Sequence, residues 1–284
     1  MKQKKDLSII NCIATSLLAV FFSIPVHEVI HLITFYAYGD QCEYYAATSV
    51  NYLGLIDYYS LPTFHRIMAT GGSASIVNLI IGLVLLIILL KGKLTPMIRL
   101  FLTQLMGAHL TESFGYFMID GIFGAGDWGN VFSYFTDAPG LVSALRIVLS
   151  VVGIGGTVSL FFILNHMSYY FIADPNDKAQ RMGVAVRLYL MMLIVGVITH
   201  FATWAQNPGV RSGATSFAFS CLTVLMWIPF FWGFMFTGVM KVCPPKKSRF
   251  LYKLPEKPNY ILLAAGVILI LVDIFVFGPG IFFH

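Results

Sequence analysis

The sequence is poor in charged residues. Only 11% of its 284 residues are Asp, Glu, Lys or Arg, whereas 58% are hydrophobic. Soluble globular domains average about 25% charged and about 45–50% apolar residues. Because a chain with so few charges cannot cover a folded surface of this size in water, the composition excludes an ordinary soluble enzyme. It indicates a protein whose main solvent is the lipid bilayer.

Cysteine is also scarce. The four cysteines, Cys12, Cys42, Cys221 and Cys243, are far apart in the sequence and form no CxxC pair. This spacing argues against both a disulfide framework and a zinc site built from cysteine. Any metal chemistry must therefore come from histidines and carboxylates.

Seven long apolar segments are present. Only helices and closed barrels satisfy their backbone hydrogen bonds in lipid, and these segments are too long and too continuously apolar for barrel strands. They cover residues 7–38, 70–90, 96–119, 141–166, 184–205, 216–240 and 260–277. The predicted fold is therefore all-α, a polytopic transmembrane helix bundle of about seven spans with no soluble domain.

The loop charges predict the orientation of the bundle. Lys and Arg precede the first segment and also lie between the second and third segments and before the seventh, whereas the loop after the third holds Asp127 and Asp137 without any basic residue. Basic loops stay in the cytoplasm, so we expect a cytoplasmic N-terminus. The net charge of +5 is explained in this way and does not indicate nucleic-acid binding. The expected location is a bacterial plasma membrane, and the expected partners are the lipid bilayer and a membrane protein or peptide substrate.

The loop between the first two segments, residues 39–69, is rich in tyrosine and only moderately polar. We expect it to form a short hairpin or a re-entrant element at the membrane interface.

The first segment contains a metal-binding motif. His27-Glu28-Val29-Ile30-His31 has the HExxH pattern, and residues four apart share one helix face, so both imidazoles can bind one metal ion. Glu28 is placed to take a proton from a water that zinc activates. Three ionisable groups in an apolar span indicate a functional site, because they are costly in lipid. The motif predicts Zn²⁺ bound by His27 and His31, with Glu28 as general base.

Two histidines leave such a site short of a ligand, because catalytic zinc usually has three protein ligands. The sequence offers no downstream Glu or His at the spacing of the soluble zinc proteases. A carboxylate from another segment is required, and a glycine-rich stretch, residues 120–130, contains two candidates, Asp120 and Asp127.

Polar and small residues in other segments are candidate partners of this site. The second segment opens with residues 71–78, whose glycines and serines indicate close helix packing, and whose last residue, Asn78, is a candidate to orient a substrate or a water. His109 and Glu112 lie three apart, so they share a face of the third segment. They are expected either to orient a metal-bound histidine or to form a hydrogen-bonded pair between helices. Three glycines of the fourth segment indicate helix packing: Gly153, Gly155 and Gly156.

Together these motifs resemble those of the site-2 protease family of intramembrane zinc metalloproteases. The likeness covers residues 1–140 and consists of HEVIH, GGSASIVN and an Asp-Gly element after the third segment. It implies that Asn78 is the family's asparagine and that a distant Asp is the third ligand. Ile119-Asp120-Gly121 is similar to the family's L-D-G form, but we favour Asp127 and keep Asp120 as the alternative. The sequence departs from the family at Ala74 and Ser75, where Gly and Pro are frequent, and it has no PDZ or CBS domain.

The expected function is that of a small, domain-poor zinc metallopeptidase that hydrolyses peptide bonds of membrane-embedded or membrane-proximal substrates. Residues 1–140 would form a three-helix protease core, and residues 141–284 would add four further transmembrane helices of the same membrane domain. The alternative is a non-proteolytic membrane protein, either a transporter or an accessory subunit, that retains a metal site. A transporter typically has inverted repeats, which are not seen here, and a degenerate protease would normally have lost Glu28.

Overall fold

The computed structural model describes residues 6–208, 217–245, 249–251 and 253–283. It is 73% helical, which confirms the predicted helical class. A three-stranded sheet is present beside the helices, so the prediction of an all-α fold was wrong in this detail. Ser216, where the sixth predicted segment begins, and the basic cluster Lys2, Lys4 and Lys5 lie outside the described residues.

The α-helices follow one another with short connections, and several are extended by a π-helical turn. In chain order they are α1 (Ile9–Phe21), α2 (Ile24–Ala37), α3 (Thr63–Ile67), α4 (Ser73–Lys91), α5 (Pro96–Phe123), α6 (Gly126–Ser133), α7 (Pro139–Ser168), α8 (Lys178–Ala185), α9 (Met191–Trp204), α10 (Phe217–Val224), α11 (Ile228–Phe234) and α12 (Tyr260–Val272). The π-helical turns are Met68–Gly72, Val186–Leu190, Met235–Met240 and Asp273–Phe277, and two 3₁₀ turns are Tyr58–Ser60 and Leu225–Trp227.

Within the described residues, six helical stretches are long and apolar enough to cross a membrane. They are Ile9–Ala37, Thr63–Lys91, Pro139–Ser168, Lys178–Trp204, Cys221–Met240 and Tyr260–Phe277. They correspond to six of the seven predicted segments. The third predicted segment, residues 96–119, is a continuous helix, α5, but it is too polar to belong to this set. Its polar side chains are nevertheless buried inside the bundle: Arg99, Gln104, His109, Glu112 and Asp120.

Helix α5 is the centre of the bundle and packs against α1, α4 and α7. Its apolar side chains Leu100 and Met106 are fully buried. The amide of Gln104 donates to Ser16 Oγ at 2.9 Å and to the carbonyl oxygen of Leu188 at 3.3 Å. Because these acceptors lie on two other helical segments, one polar side chain ties three segments together away from lipid.

The first predicted segment is broken rather than continuous. α1 ends at Phe21 and α2 begins at Ile24. Pro25 occupies the first turn of α2, where its missing N–H costs no helical hydrogen bond. The new helix therefore starts just before His27.

For the loop after α2 the sequence predicted either a short hairpin or a re-entrant element, and the structure contains a hairpin. Strand β1 (Cys42–Ala46) pairs antiparallel with β2 (Ser49–Tyr52). On its other side, β1 pairs antiparallel with β3 (Ile281–Phe282), which the sequence did not indicate because two residues give no strand pattern. The hydroxyl of Tyr45 donates to the carbonyl oxygen of Pro25 at 3.1 Å. The sheet is thus attached to the start of α2.

Two glycines of α7 allow it to approach α5 closely. A Cβ on Gly153 would overlap the backbone of Met118, and one on Gly156 would overlap the ring of Phe114. Gly155 faces open space instead. The packing predicted for these glycines therefore holds for the two that face α5.

We predict that Gly153→Ala destabilises the protein by about 1–3 kcal/mol, because the added methyl group overpacks the contact between α5 and α7. Gly155→Ala is the matched control and is expected to be neutral or to stabilise by up to about 1 kcal/mol through helix propensity. Thermal unfolding of both variants in the same detergent measures the difference. Equal melting temperatures would contradict the close packing of these helices.

Candidate metal centre

The HEVIH motif lies on α2 with its ionisable side chains directed into the protein. His27, Glu28 and His31 are 1%, 5% and 6% exposed. The two histidines are separated by one helical turn, so their rings lie on the same face, with centroids 5.0 Å apart. The helix thus presents a pair of imidazoles and one carboxylate to the interior.

The structure brings Asp127 to this pair of histidines. Asp127 lies in the first turn of α6, and its Oδ2 is 2.8 Å from Nε2 of His27 and 3.1 Å from Nε2 of His31. Burial raises the pKa of the Asp127 carboxyl, but the two neighbouring imidazoles lower it by more, so the pKa lies below its ordinary value. Asp127 is therefore a carboxylate directed at two nitrogens that are possible metal ligands.

Asp120, the alternative ligand, lies elsewhere. Its Oδ2 accepts a hydrogen bond from the backbone N–H of Trp128 at 3.1 Å. A Cβ on Gly126 would lie 2.5 Å from Asp120 Oδ1, so the carboxylate is packed directly beneath the start of α6. The first N–H groups of a helix have no acceptor within the helix, and Asp120 supplies an acceptor for one of those of α6. This contact fixes the helix that carries Asp127.

Gly71 and Asn130 position Asp127 from the other side. Gly71 has φ of 151°, and a Cβ at this residue would overlap the carbonyl oxygen of Asp127. The side-chain amide of Asn130 donates to the carbonyl oxygen of Thr70 at 2.6 Å. The sequence indicated helix packing for Gly71, whereas the structure shows a backbone contact with the segment that holds the carboxylate.

Asn78 and His109 form a buried relay to His27. Nδ2 of Asn78 is 3.0 Å from Nδ1 of His27, and Oδ1 of Asn78 is 3.1 Å from Nδ1 of His109. A histidine that binds a metal through Nε2 carries its proton on Nδ1. With the side-chain amide of Asn78 rotated by 180°, its oxygen accepts that proton from His27. Asn78 and His109 therefore set the orientation of the His27 ring.

Glu28 and Glu112 both line a cavity of about 380 Å³ next to the histidines. His109 contacts Asn78, whereas Glu112 takes no part in this contact. Glu112 faces the cavity because it projects from α5 at a different angle from the relay.

Tyr116 is a site residue that the sequence reasoning missed. Its ring stacks on that of His27, with centroids 4.6 Å apart and an interplanar angle of 14°, and it lines the cavity. Tyr116 lies four residues after Glu112 and seven after His109. This helical spacing was a signal that could have placed it on the same face.

The remaining walls of the cavity come from distant parts of the chain. Strand β2 contributes all four of its residues, and α9 contributes His200 and Trp204. The wall also includes Asn207 and Trp227. His200 was a candidate to line a cavity or to lie near an interface, but none of these residues belongs to a motif, so no sequence pattern indicated that they meet.

The two imidazole nitrogens and the carboxylate oxygen form ion pairs in the structure, and as a group they could also hold a metal ion. Ligands about 2.0–2.1 Å from zinc at tetrahedral angles lie about 3.3 Å from one another. The distances of 2.8 Å and 3.1 Å are a few tenths of an ångström shorter, which small side-chain shifts accommodate. The cavity beside the three donors leaves room for the fourth position that catalytic zinc keeps open.

Comparisons of this chain with family models, with curated proteins and with solved structures gave no match. The resemblance to the site-2 proteases therefore stays a prediction that rests on the motifs.

We predict that Gly71→Ala lowers zinc affinity by about tenfold or more, the scale typical of losing a group that positions a ligand. The reason is that the added methyl group displaces the backbone of Asp127. Gly54→Ala is the control, since Gly54 also has positive φ, at 70°, but nothing lies within 4 Å of its Cβ position. Zinc titration of the purified variants measures the effect. An equal loss in both would show that backbone strain, rather than contact with Asp127, is responsible.

Proposed function

We propose that this protein is an intramembrane zinc metallopeptidase that hydrolyses peptide bonds of membrane-embedded or membrane-proximal substrates. The observation that carries the proposal is the convergence of His27, His31 and Asp127 from segments about 100 residues apart. They meet beside Glu28 at a cavity large enough for a stretch of peptide. Unpaired, such groups would be costly inside a helix bundle.

The chemistry follows from the donor set. A zinc ion held by His27, His31 and Asp127 would supply a Lewis acid that polarises the peptide carbonyl and lowers the pKa of water to about 7. The carboxylate of Glu28 takes a proton from the attacking water and later delivers it to the nitrogen of the leaving amine. The stacked ring of Tyr116 restricts the rotation of His27.

Strand β2 supports binding of an extended substrate. Among the described strands, β2 has β1 as its one neighbour, and residues Ser49–Tyr52 line the cavity. An extended peptide can add to such an edge through backbone hydrogen bonds. Because a helical substrate hides its carbonyls, we infer that the cleaved segment unwinds and lies along β2.

We also propose seven membrane spans. The additional span is α5, which is more polar than the other six. The β1–β3 pairing supports this count, because it holds the segment after the first span next to the segment after the last. The backbone N–H of Phe283 donates to the carbonyl oxygen of Glu43 at 3.0 Å. Both segments must then lie on one side of the membrane, which requires an even number of crossings between them. Five of the six apolar stretches lie in this interval, and α5 supplies the sixth crossing.

The charge pattern orients this topology. With the basic loops in the cytoplasm, the sheet and α6 lie at the opposite face, and the metal centre lies nearer that face. A bacterial plasma membrane stays the predicted location.

For the activity we predict that Glu28→Gln lowers the cleavage rate by at least about 100-fold, because general acid–base catalysis contributes on that scale. Zinc content should be unchanged, since Glu28 is not one of the three ligands. Glu256→Gln, at an exposed carboxylate, is the matched control. The assay follows cleavage of a panel of transmembrane peptides in liposomes, with zinc measured on the same samples.

A zinc-loaded wild-type protein that cleaves none of these peptides would contradict the proposal. The non-proteolytic alternative, a transporter or an accessory subunit with a metal site, would then remain.

For the topology we predict that cysteines placed at Leu55 and Phe283 react with a membrane-impermeant maleimide from outside intact cells. Both positions are exposed, at 59% and 41%. The two substitutions are made in a Cys243→Ser background. In a separate sample of the unsubstituted protein, native Cys243, which is exposed, should react only after permeabilisation. Reaction of Leu55→Cys and Phe283→Cys from opposite sides would exclude an α5 that crosses the membrane.

A further inference from the structure

Glu112 is a buried carboxylate that the proposed chemistry does not use. It is 5% exposed and lines the cavity from α5. Among the described residues, none forms a hydrogen bond or an ion pair with its carboxylate. A buried charge is normally paired, because leaving it alone in a medium of low dielectric constant is costly. A cation from outside the chain would supply such a partner.

The charges around Glu112 have the same sign. The cavity-lining residues of the described chain include the carboxylates Glu28, Glu112 and Asp127 and no Lys or Arg. The three acidic side chains share one cavity, in which like charges repel one another. A cation bound beside Glu112 would relieve this repulsion and favour the ionised form of its carboxyl group.

The neighbouring His200 is occupied by another contact, since its Nε2 lies 2.7 Å from Thr223 Oγ1. It is thus held by Thr223 within the wall of the cavity.

The walls of the cavity are aromatic. They include the rings of Tyr52, Tyr116, Trp204 and Trp227. Aromatic faces attract ammonium and guanidinium groups, most strongly where water is excluded. A carboxylate that shares a cavity with such rings is a suitable site for an organic cation.

We propose that Glu112 binds a cationic group of the substrate, an ammonium or a guanidinium, and so selects substrates with positive charge close to the cleaved bond. This proposal rests on the proposed peptidase function. The cation has two possible sources, a Lys or Arg side chain within the substrate or its N-terminal amine.

The test compares four peptides with the same transmembrane sequence. Three are N-acetylated and carry Lys, norleucine or Glu in the segment that is cleaved, and the fourth carries norleucine with a free N-terminal amine next to that segment. We expect wild-type kcat/KM to be about 10- to 100-fold higher for the cationic peptides than for the norleucine peptide, as for one charge-assisted contact. A preference for the Lys peptide alone assigns the cation to a side chain, and a preference for the free amine alone assigns it to the N-terminus.

Variants then attribute the preference to Glu112. Glu112→Gln should abolish it, Glu112→Asp should retain part of it, and Glu112→Lys should favour the Glu peptide. Glu256→Gln should behave as wild type. Binding of the same peptides to zinc-loaded Glu28→Gln protein, followed by tryptophan fluorescence, gives a readout that needs no cleavage.

The outcomes separate the two proposals. Cleavage with no charge preference, or a preference that survives in Glu112→Gln, would overturn the role of Glu112 and leave the peptidase proposal intact. Selective binding of cationic peptides without cleavage by the wild type would overturn the peptidase proposal and support the cation site. Equal binding of all four peptides would overturn the cation site even if every variant at Glu112 failed to fold.

Discussion

The contact between Asp127 and the two histidines of α2 is the interaction on which the rest of the structure depends. Two imidazoles and a carboxylate inside an apolar helix bundle are unfavourable one by one. As one cluster they offset part of this cost, because opposite charges and hydrogen bonds replace some of the lost hydration. Asp127 Oδ2 lies within 3.1 Å of both Nε2 atoms. Holding α6 against α2 is thus the main task of the surrounding residues.

Several residues that touch neither imidazole serve this task. Asp120 accepts a hydrogen bond from the first turn of α6, and Gly71 lets the backbone of Asp127 approach. The indole N–H of Trp128 donates to Ser75 Oγ at 2.9 Å, which attaches α6 to α4. A cluster supported from several directions keeps its geometry, and a metal site requires such support to bind its ion tightly.

Much of this arrangement was predictable from the sequence. HExxH has a fixed helical spacing, so its two histidines had to share a face, and the need for a third ligand pointed to the two aspartates. The helical class followed from long apolar runs, although α5 is more polar than the other predicted spans, and its polar side chains Gln104 and His109 contact partners on other helices. Local sequence patterns were therefore sufficient to predict the motif and the helices.

The parts that escaped prediction depend on contacts between distant segments. β3 is too short to show a pattern, yet it pairs with β1. Gly71 looked like a packing glycine because the sequence cannot show that Asp127 lies against it. The different positions of Asp120 and Asp127 likewise follow from the left-handed turn at Gly124, because α5 ends after Asp120 and a new helix carries Asp127 in its first turn.

X-ray absorption at the zinc edge of the purified protein tests directly whether His27, His31 and Asp127 together hold zinc. We expect one zinc with two imidazole nitrogens and carboxylate oxygen at about 2.0–2.2 Å. Asp127→Ala should remove the carboxylate, whereas Asp120→Ala should retain it. A protein that binds no zinc, or one whose carboxylate ligand disappears in Asp120→Ala and persists in Asp127→Ala, would show that these three residues are not the zinc ligands.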